Sequence, residues 1–166
     1  VAIVGVEGDK SELLNKWKDN DVDGFGRLSK KQLREIYNRS RVHLVTSGRD
    51  CFPRTIPESL VCGCYNIVLD ILSDGTSVIG ENPWLGKVVE TKDAPIILTS
   101  SSSISILLDN KSISDIVEQI VEALDTKHNP LAISTLSKDI FPLNQMIQLD
   151  SVWESLDLLD FNHHSV

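Results

Sequence analysis

Basic residues, aromatics and methionine are scarce in this 166-residue chain, and it has no long apolar run. Sixteen Lys and Arg stand against 24 Asp and Glu, a net charge of −8. That balance excludes a broad nucleic-acid-binding surface and an anionic-membrane anchor, while leaving room for a local basic pocket. No apolar stretch reaches the roughly 18 residues of a membrane span, and no secretory signal is legible. The three cysteines, Cys51, Cys62 and Cys64, are an odd number, which without a leader points to a reduced, cytoplasmic compartment. Cys62-Gly63-Cys64 has no second ligand cluster beside it, so it reads as two small residues at a helix end and no metal site is expected. The length suffices for one domain spanning residues 1–166 with a sizeable, mainly aliphatic core. The chain opens inside an apparent strand, "VAIVGV", without Met, so a piece of something longer is expected. Residues 161–166, with His163 and His164, read as a disordered polar tail.

The stretch "KDNDVDGFGRLSKKQL" (18–33) imitates a calcium loop. Asp19, Asp21 and Asp23 fall at ligand positions 1, 3 and 5, with Gly24 at 6. Position 12, which needs a bidentate Glu, is Lys30, and position 8 is Gly26. A different reading uses every residue. Ser29 and Gln32 form a capping box, and Leu28 and Leu33 have the spacing of a hydrophobic staple. Leu33, Ile36 and Tyr37 then mark one face of a helix running to about Arg39.

Along the chain, "VAIVGV" (1–6), "VHLVTS" (42–47) and "YNIVLD" (65–70) are short β-branched runs typical of strands buried on both faces. Residues 22–25 give a further short strand, and "KVVET" (87–91) another. Helical pattern lies at 11–18, at 55–62 ending on Gly63, and more weakly at 151–159. The segment holding Gly75, Gly80 and Pro83 reads as loop, as do "TKHNPLAIS" (126–134) and the serine run 100–103. Ile113, Ile116, Val117, Ile120, Val121 and Leu124 recur at helical spacing, so 113–124 is an amphipathic helix. Strands alternating with helices predict an α/β fold: a Rossmann-like, doubly wound parallel sheet with helices on both faces. In such sheets ligands sit beyond the carboxyl ends of the strands. The loop after "VHLVTS" is therefore the place to look for chemistry.

That loop and the next helix read "SGRDCFPRTIPESLVCGCYNIV" (47–68). The stretch resembles the donor-binding half of retaining GT-B glycosyltransferases of the glycogen-synthase-like group, whose hallmark is two Glu separated by seven residues. Ser47 matches the pattern's serine, Asp50 falls on the first Glu, Phe52 on the Phe, Glu58 on the second Glu and Gly63 on the Gly. Upstream, "GFGRLSKKQLREIYNRSRVHLVTS" is similar to the preceding turn, helix and strand of that family. The resemblance covers about residues 1–125. It implies a nucleoside diphosphate sugar as donor, retention of configuration, no cofactor, and an acceptor-binding N-terminal domain outside this chain. Cell-surface polysaccharide assembly is the setting it implies, and the chain alone is expected to be inactive. The sequence departs from the pattern in three ways. Asp50 is one methylene shorter than Glu, and Pro53 replaces a glycine and has no N–H to offer. The basic residues that grip the diphosphate in the family precede the strand matching "VAIVGV".

The resemblance makes Asp50 the catalytic carboxylate and Glu58, Arg54, Phe52 and Thr55 the donor-binding residues. A carboxylate such as Glu58 can accept from both ribose hydroxyls. Arg54 can grip a phosphate with two parallel bonds, beside the amino end of a helix from Ile56. Structural alternatives stand beside these roles. Thr55 and Glu58 also read as a capping box, Asp50 as a loop carboxylate, Phe52 as loop packing and Arg54 as a solvated side chain. Two other readings remain for the whole chain: a non-catalytic glycosyltransferase-like module, and an unrelated Rossmann-like nucleotide-binding domain. With Lys30 at position 12, titration calorimetry is expected to show no micromolar calcium binding at Asp19–Asp23. A micromolar site abolished by Asp21→Ala would overturn that reading.

Overall fold

The computed structural model describes residues 1–4, 22–46, 53–70, 75–91, 96–100 and 103–141. The expected helix at 11–18, the weaker helical pattern at 151–159 and the tail from 161 lie outside them. Within the described residues, parallel strands alternate with helices in a Rossmann-like α/β arrangement.

Strands β1 (Ala2–Val4) and β2 (Asp23–Phe25) pair in parallel, Ile3 opposite Gly24. Helix α1 (Lys30–Arg39) follows, and its capping box is formed. The Gln32 amide donates to Ser29 Oγ at 3.3 Å, and the Ser29 amide donates to Gln32 Oε1 at 3.1 Å. Two of the four orphan amide donors at that helix end are thereby satisfied. Tyr37 is the buried residue of α1.

A second parallel sheet runs β3 (Val42–Val45), β4 (Tyr65–Leu69), β5 (Gly86–Val89), in that spatial order. Helix α2 (Thr55–Val61) joins β3 to β4, and α3 (Gly75–Glu81) joins β4 to β5. All five residues of β4 are buried, as the unbroken apolar run "YNIVL" requires of a strand covered on both faces. Asn66 pairs with His43 across one ladder and with Gly86 across the other. Leu85, Ile79, Ile67, Leu69, Ile56 and Leu60 are fully buried and belong to the core cluster around this strand. Each such side chain contributes about 1.5–3 kcal/mol by leaving water.

The α3 segment corrects the loop expected at Gly75 and Gly80. Two glycines and "TS" give it weak helical propensity, yet Ile79 is buried in the core, and that burial outweighs propensity. Beyond β5, β6 (Ile96–Ser100) and β7 (Ser103–Leu107) form an antiparallel pair, with Ser100 opposite Ser103. Ser100 and Ser103 of the serine run are therefore strand ends, where a loop was expected.

Helix α4 (Asn110–Asp125) begins three residues before the periodic run at 113. Asp109 caps it, accepting from the Ser112 amide at 2.7 Å. Helix α5 (Pro130–Ile140) corrects the loop expected at 126–134. Asn129 is its cap, accepting from the amides of Leu131 at 3.0 Å and Ala132 at 3.3 Å, and Pro130 occupies the first turn. The apolar period is masked because a serine, Ser137, holds a fully buried position between Ile133 and Ile140.

Helix α2 ends in a Schellman motif. The Gly63 amide donates to the Leu60 carbonyl at 2.9 Å and the Cys64 amide to the Ser59 carbonyl at 3.0 Å. Gly63 has φ +86°, and a Cβ there would lie 2.7 Å from Pro130 Cβ on α5. A side chain at this position is thus strained twice, by its backbone angle and by the approach of α5. Gly63→Ala is expected to cost about 2–4 kcal/mol, the sum of a left-handed penalty and overpacking. Urea unfolding of the two proteins measures it, and a loss under 1 kcal/mol would refute the close approach.

Candidate functional site

The carboxyl end of β3 leads through residues 47–52 to Pro53 and helix α2. Asp50 and Phe52 lie outside the described residues. Pro53 is buried and Arg54 and Thr55 are exposed. Helix α2 starts at Thr55, as the helical pattern over 55–62 placed it, and one residue before the Ile56 start that a Thr55 cap implies. Arg54 occupies the cap position in αR geometry and makes no side-chain cap bond. The Ile56 amide instead donates to the Pro53 carbonyl at 3.0 Å and the Glu58 amide to the Arg54 carbonyl at 3.2 Å. The expected Thr55–Glu58 capping box is therefore not what starts this helix. A backbone turn over Pro53, whose ring presets φ, starts it.

The inner face of α2 is Ile56, Pro57, Ser59 and Leu60, all buried. Pro57 falls in the first turn, where a missing amide proton is tolerated. Glu58 stands on the flank of this face and is half-buried. Its position is reported by its effect on neighbours. Burial raises the Tyr37 hydroxyl well above the ordinary phenol range, and the negative charge of Glu58 raises it further. The Cys62 thiol is also pushed up by burial, lowered in part by Arg34 and raised by Glu58. Glu58 thus faces α1, in the corner where Tyr37, Arg34 and Cys62 meet.

Beneath α2 lies a polar network that the sequence reading did not single out. The Asn66 side chain is fully buried. Its Nδ2 donates to the Cys64 carbonyl at 3.2 Å, so its Oδ1 is the acceptor for the other partners. Ser59 Oγ lies 3.0 Å from that oxygen and 2.9 Å from the Ile56 carbonyl, which share its single proton, and His43 Nδ1 lies 2.8 Å from the Asn66 oxygen. This arrangement places the His43 proton on Nδ1. Burial lowers the affinity of His43 for a second proton, although the Asn66 bond opposes this. The ring of Tyr37 packs edge-on against His43, with centroids 5.4 Å apart. One carboxamide therefore ties β3, β4 and α2 together. The legible signal was a polar residue in each of two runs that otherwise read as fully buried, "YNIVL" and "VHLV".

Cys64 donates to the Tyr37 carbonyl at 3.2 Å, and burial followed by the nearby Cys62 pushes its thiol up to about 12. Neither thiol is a ready nucleophile at neutral pH. Among the described residues no three His, Cys, Asp or Glu converge on a common point. No helix of the described residues is long and apolar enough to cross a membrane.

Asn66 and Thr55 are expected to differ sharply on truncation. Asn66→Ala removes a fully buried carboxamide and its bonds to the half-buried His43 ring and the Cys64 carbonyl, and should cost about 2–4 kcal/mol. Thr55→Ala removes an exposed side chain that does not cap the helix and should change stability by no more than about 0.5 kcal/mol. Thermal and urea unfolding of both variants tests this; a loss near 1 kcal/mol for Thr55→Ala would restore the capping box.

No protein-family model matches the sequence, and no curated protein matches it. A solved structure does. The chain superposes on one chain of the crystal structure of the GtfA/B complex with a TM-score of 0.60 at 17% identity. The match covers 93% of this chain and 28% of that one, so this chain spans under a third of the length it is compared with. At that identity the likeness shows the fold alone: a Rossmann-like α/β arrangement of the GT-B kind.

Proposed function

We propose that this chain is the donor-binding part of a GT-B glycosyltransferase that moves a sugar from a nucleoside diphosphate sugar to an acceptor with retention of configuration. The observation that carries the proposal is a coincidence of place. The Ser47–Gly63 pattern, read from the sequence, falls on the turn from β3 into α2 of a fold that is independently GT-B-like. That turn lies at the carboxyl end of a parallel strand, where ligands of such sheets bind.

The roles follow from the chemistry of each group. Glu58, half-buried on the α1 side of α2, accepts from the ribose hydroxyls. Arg54, exposed at the start of α2, donates to the diphosphate, with Thr55 beside it. Asp50 orients the sugar hydroxyls and offsets positive charge developing at the anomeric carbon as the bond to phosphate lengthens. Phe52 stacks against the donor. No metal and no resident cofactor are invoked. Acceptor binding belongs to a further domain, and polysaccharide assembly is the proposed setting.

A second reading is favoured by one specific observation. Pro53 is buried where the family pattern has a glycine, and it offers no amide proton to a donor sugar. In that reading the fold is kept and catalysis lost.

Glu58→Gln separates these readings from a purely structural carboxylate. Loss of charge-assisted bonds to ribose should weaken nucleotide binding by about 1.5–3 kcal/mol. The measurement is titration calorimetry with UDP, GDP and ADP, with thermal unfolding of both proteins as the stability control. Unchanged affinity for a nucleotide that the parent chain binds would remove Glu58 from the site. Failure of the parent chain to bind any of the three would favour the non-catalytic reading.

A further inference from the structure

At the amino end of the β3–β4–β5 sheet, away from the proposed donor site, the turn between α4 and α5 is pinned to the first residue of β4. The His128 ring stacks on Tyr65 with centroids 3.9 Å apart and planes 11° from parallel. Tyr65 is held in turn, its hydroxyl donating to the Pro83 carbonyl at 3.3 Å and its amide to the Arg41 carbonyl at 2.9 Å. Arg41 closes the loop by donating from Nη2 to the Thr126 carbonyl at 3.3 Å. The His128 amide donates to that same carbonyl at 2.9 Å.

The stack has one unusual atom. His128 Nε2 is covered by protein and has no hydrogen-bond partner among the described residues. A neutral imidazole tolerates this by keeping its proton on Nδ1 and leaving Nε2 as a bare lone pair. A second proton must go to Nε2, where it becomes a buried donor with no acceptor. The surroundings add to that cost. Burial and the Arg41 charge both disfavour the imidazolium, and Lys127 is the preceding residue. Glu122 on α4 is the opposing charge, and its influence is registered on Tyr65. The 82–85 turn (Asn82, Pro83, Trp84, Leu85) and the first turn of α5 (Pro130, Leu131, Ala132, Ile133) carry no ionisable side chain.

We propose that the Tyr65–His128 stack is a proton-released latch: a neutral His128 holds the α4–α5 turn and the start of α5 against the sheet, and a proton on His128 lets them go. What the latch controls follows from the packing of α5. Pro130 fills the space beside Gly63, and Ser134 Oγ donates to the Val61 carbonyl at 2.7 Å. Release of α5 therefore uncovers the carboxyl half of α2. The consequence for donor binding rests on the reading of α2 given above; the latch itself does not.

The sign of the effect is fixed by the geometry. His128 is kept neutral while latched and is free to charge once released, so falling pH favours release. The effect begins below the ordinary imidazole value of about 6.5 and reaches at most about tenfold per pH unit. Above that value the latch is fully engaged.

The test is amide hydrogen exchange by NMR on the 166-residue chain at pH 7.5 and 5.5, with intrinsic exchange rates divided out. Opening at Leu131, Ala132 and Ile133 should rise at the lower pH by severalfold, with about tenfold as the ceiling set by one proton and an ordinary released imidazole. In His128→Phe, which keeps a ring on Tyr65 but cannot take a proton, the rise should fall below twofold. Equal opening of the parent chain at both pH values would overturn the latch. So would the same rise in His128→Phe, which would assign it to His43 or the carboxylates. The His128 ring titration in the parent chain needs no variant: it should fall below the ordinary range, and a midpoint at or above about 6.5 would overturn the proposal. None of these measurements involves a nucleotide, so the latch and the donor site can fail separately.

Discussion

A parallel strand buried along its whole length dictates most of what surrounds it. Strand β4 must find a hydrogen-bonding neighbour on each edge and an apolar cover on each face. β3 and β5 supply the edges. The faces are divided by the alternation of its side chains. Asn66 points toward α2, where Ser59 meets it, and Tyr65 points the other way, toward His128 and the field of Glu122 on α4. The demand for cover explains why α2 is buried through Ile56 and Leu60 although it has only seven residues. So short a helix has little stability of its own and exists because the sheet needs it.

The same constraint governs the polar groups. A carboxamide in the middle of a fully buried strand is tolerable only when its hydrogen-bonding capacity is used. Asn66 uses its carboxamide for three contacts, on three different segments. The network is directional in a way an apolar contact is not. It sets the tautomer of His43 and the rotation of α2 about its own axis, and hence the side on which Glu58 emerges. Glu58 then lies in a corner whose titrating groups, Tyr37 and Cys62, are both held neutral at ordinary pH.

Legibility in the sequence followed local physics. The capping box at Ser29, the helix from 113 and the buried run of β4 are local signals, and each has its counterpart in the structure; β1 and β3 are strands as expected but not buried on both faces, since Val4 and Leu44 are exposed among the described residues. What escaped was decided by distant contacts. Gly75 and Gly80 speak against a helix until Ile79 finds the core. Ser137 hides the apolar period of α5 because it occupies a core position without an apolar side chain. Thr55 looks like a cap by residue type, but the backbone turn over Pro53 starts the helix first. Asn66 and His43 are 23 residues apart and become partners only through strand register. Of the residues proposed for a donor site, Thr55 and Glu58 lie on α2 and Arg54 at its cap, while Asp50 and Phe52 fall in the stretch outside the described residues.

The bond from Ser134 to the Val61 carbonyl spans 73 residues, whereas that from Ser59 to Asn66 spans seven. Closing the longer loop costs about 2 kcal/mol more in chain entropy, by the logarithm of the ratio of lengths. The two contacts therefore belong to different moments in the life of the chain. The β3–α2–β4 unit can assemble as soon as its own residues exist. The back of α2 then waits for α5, and during synthesis that interval is set by the time needed to make some seventy further residues, seconds at ordinary elongation rates of about 5–20 residues per second. Throughout that interval the helix carrying Glu58 is present without the element that seats it. The element that seats the proposed site is made some seventy residues after the strand and helix that carry it.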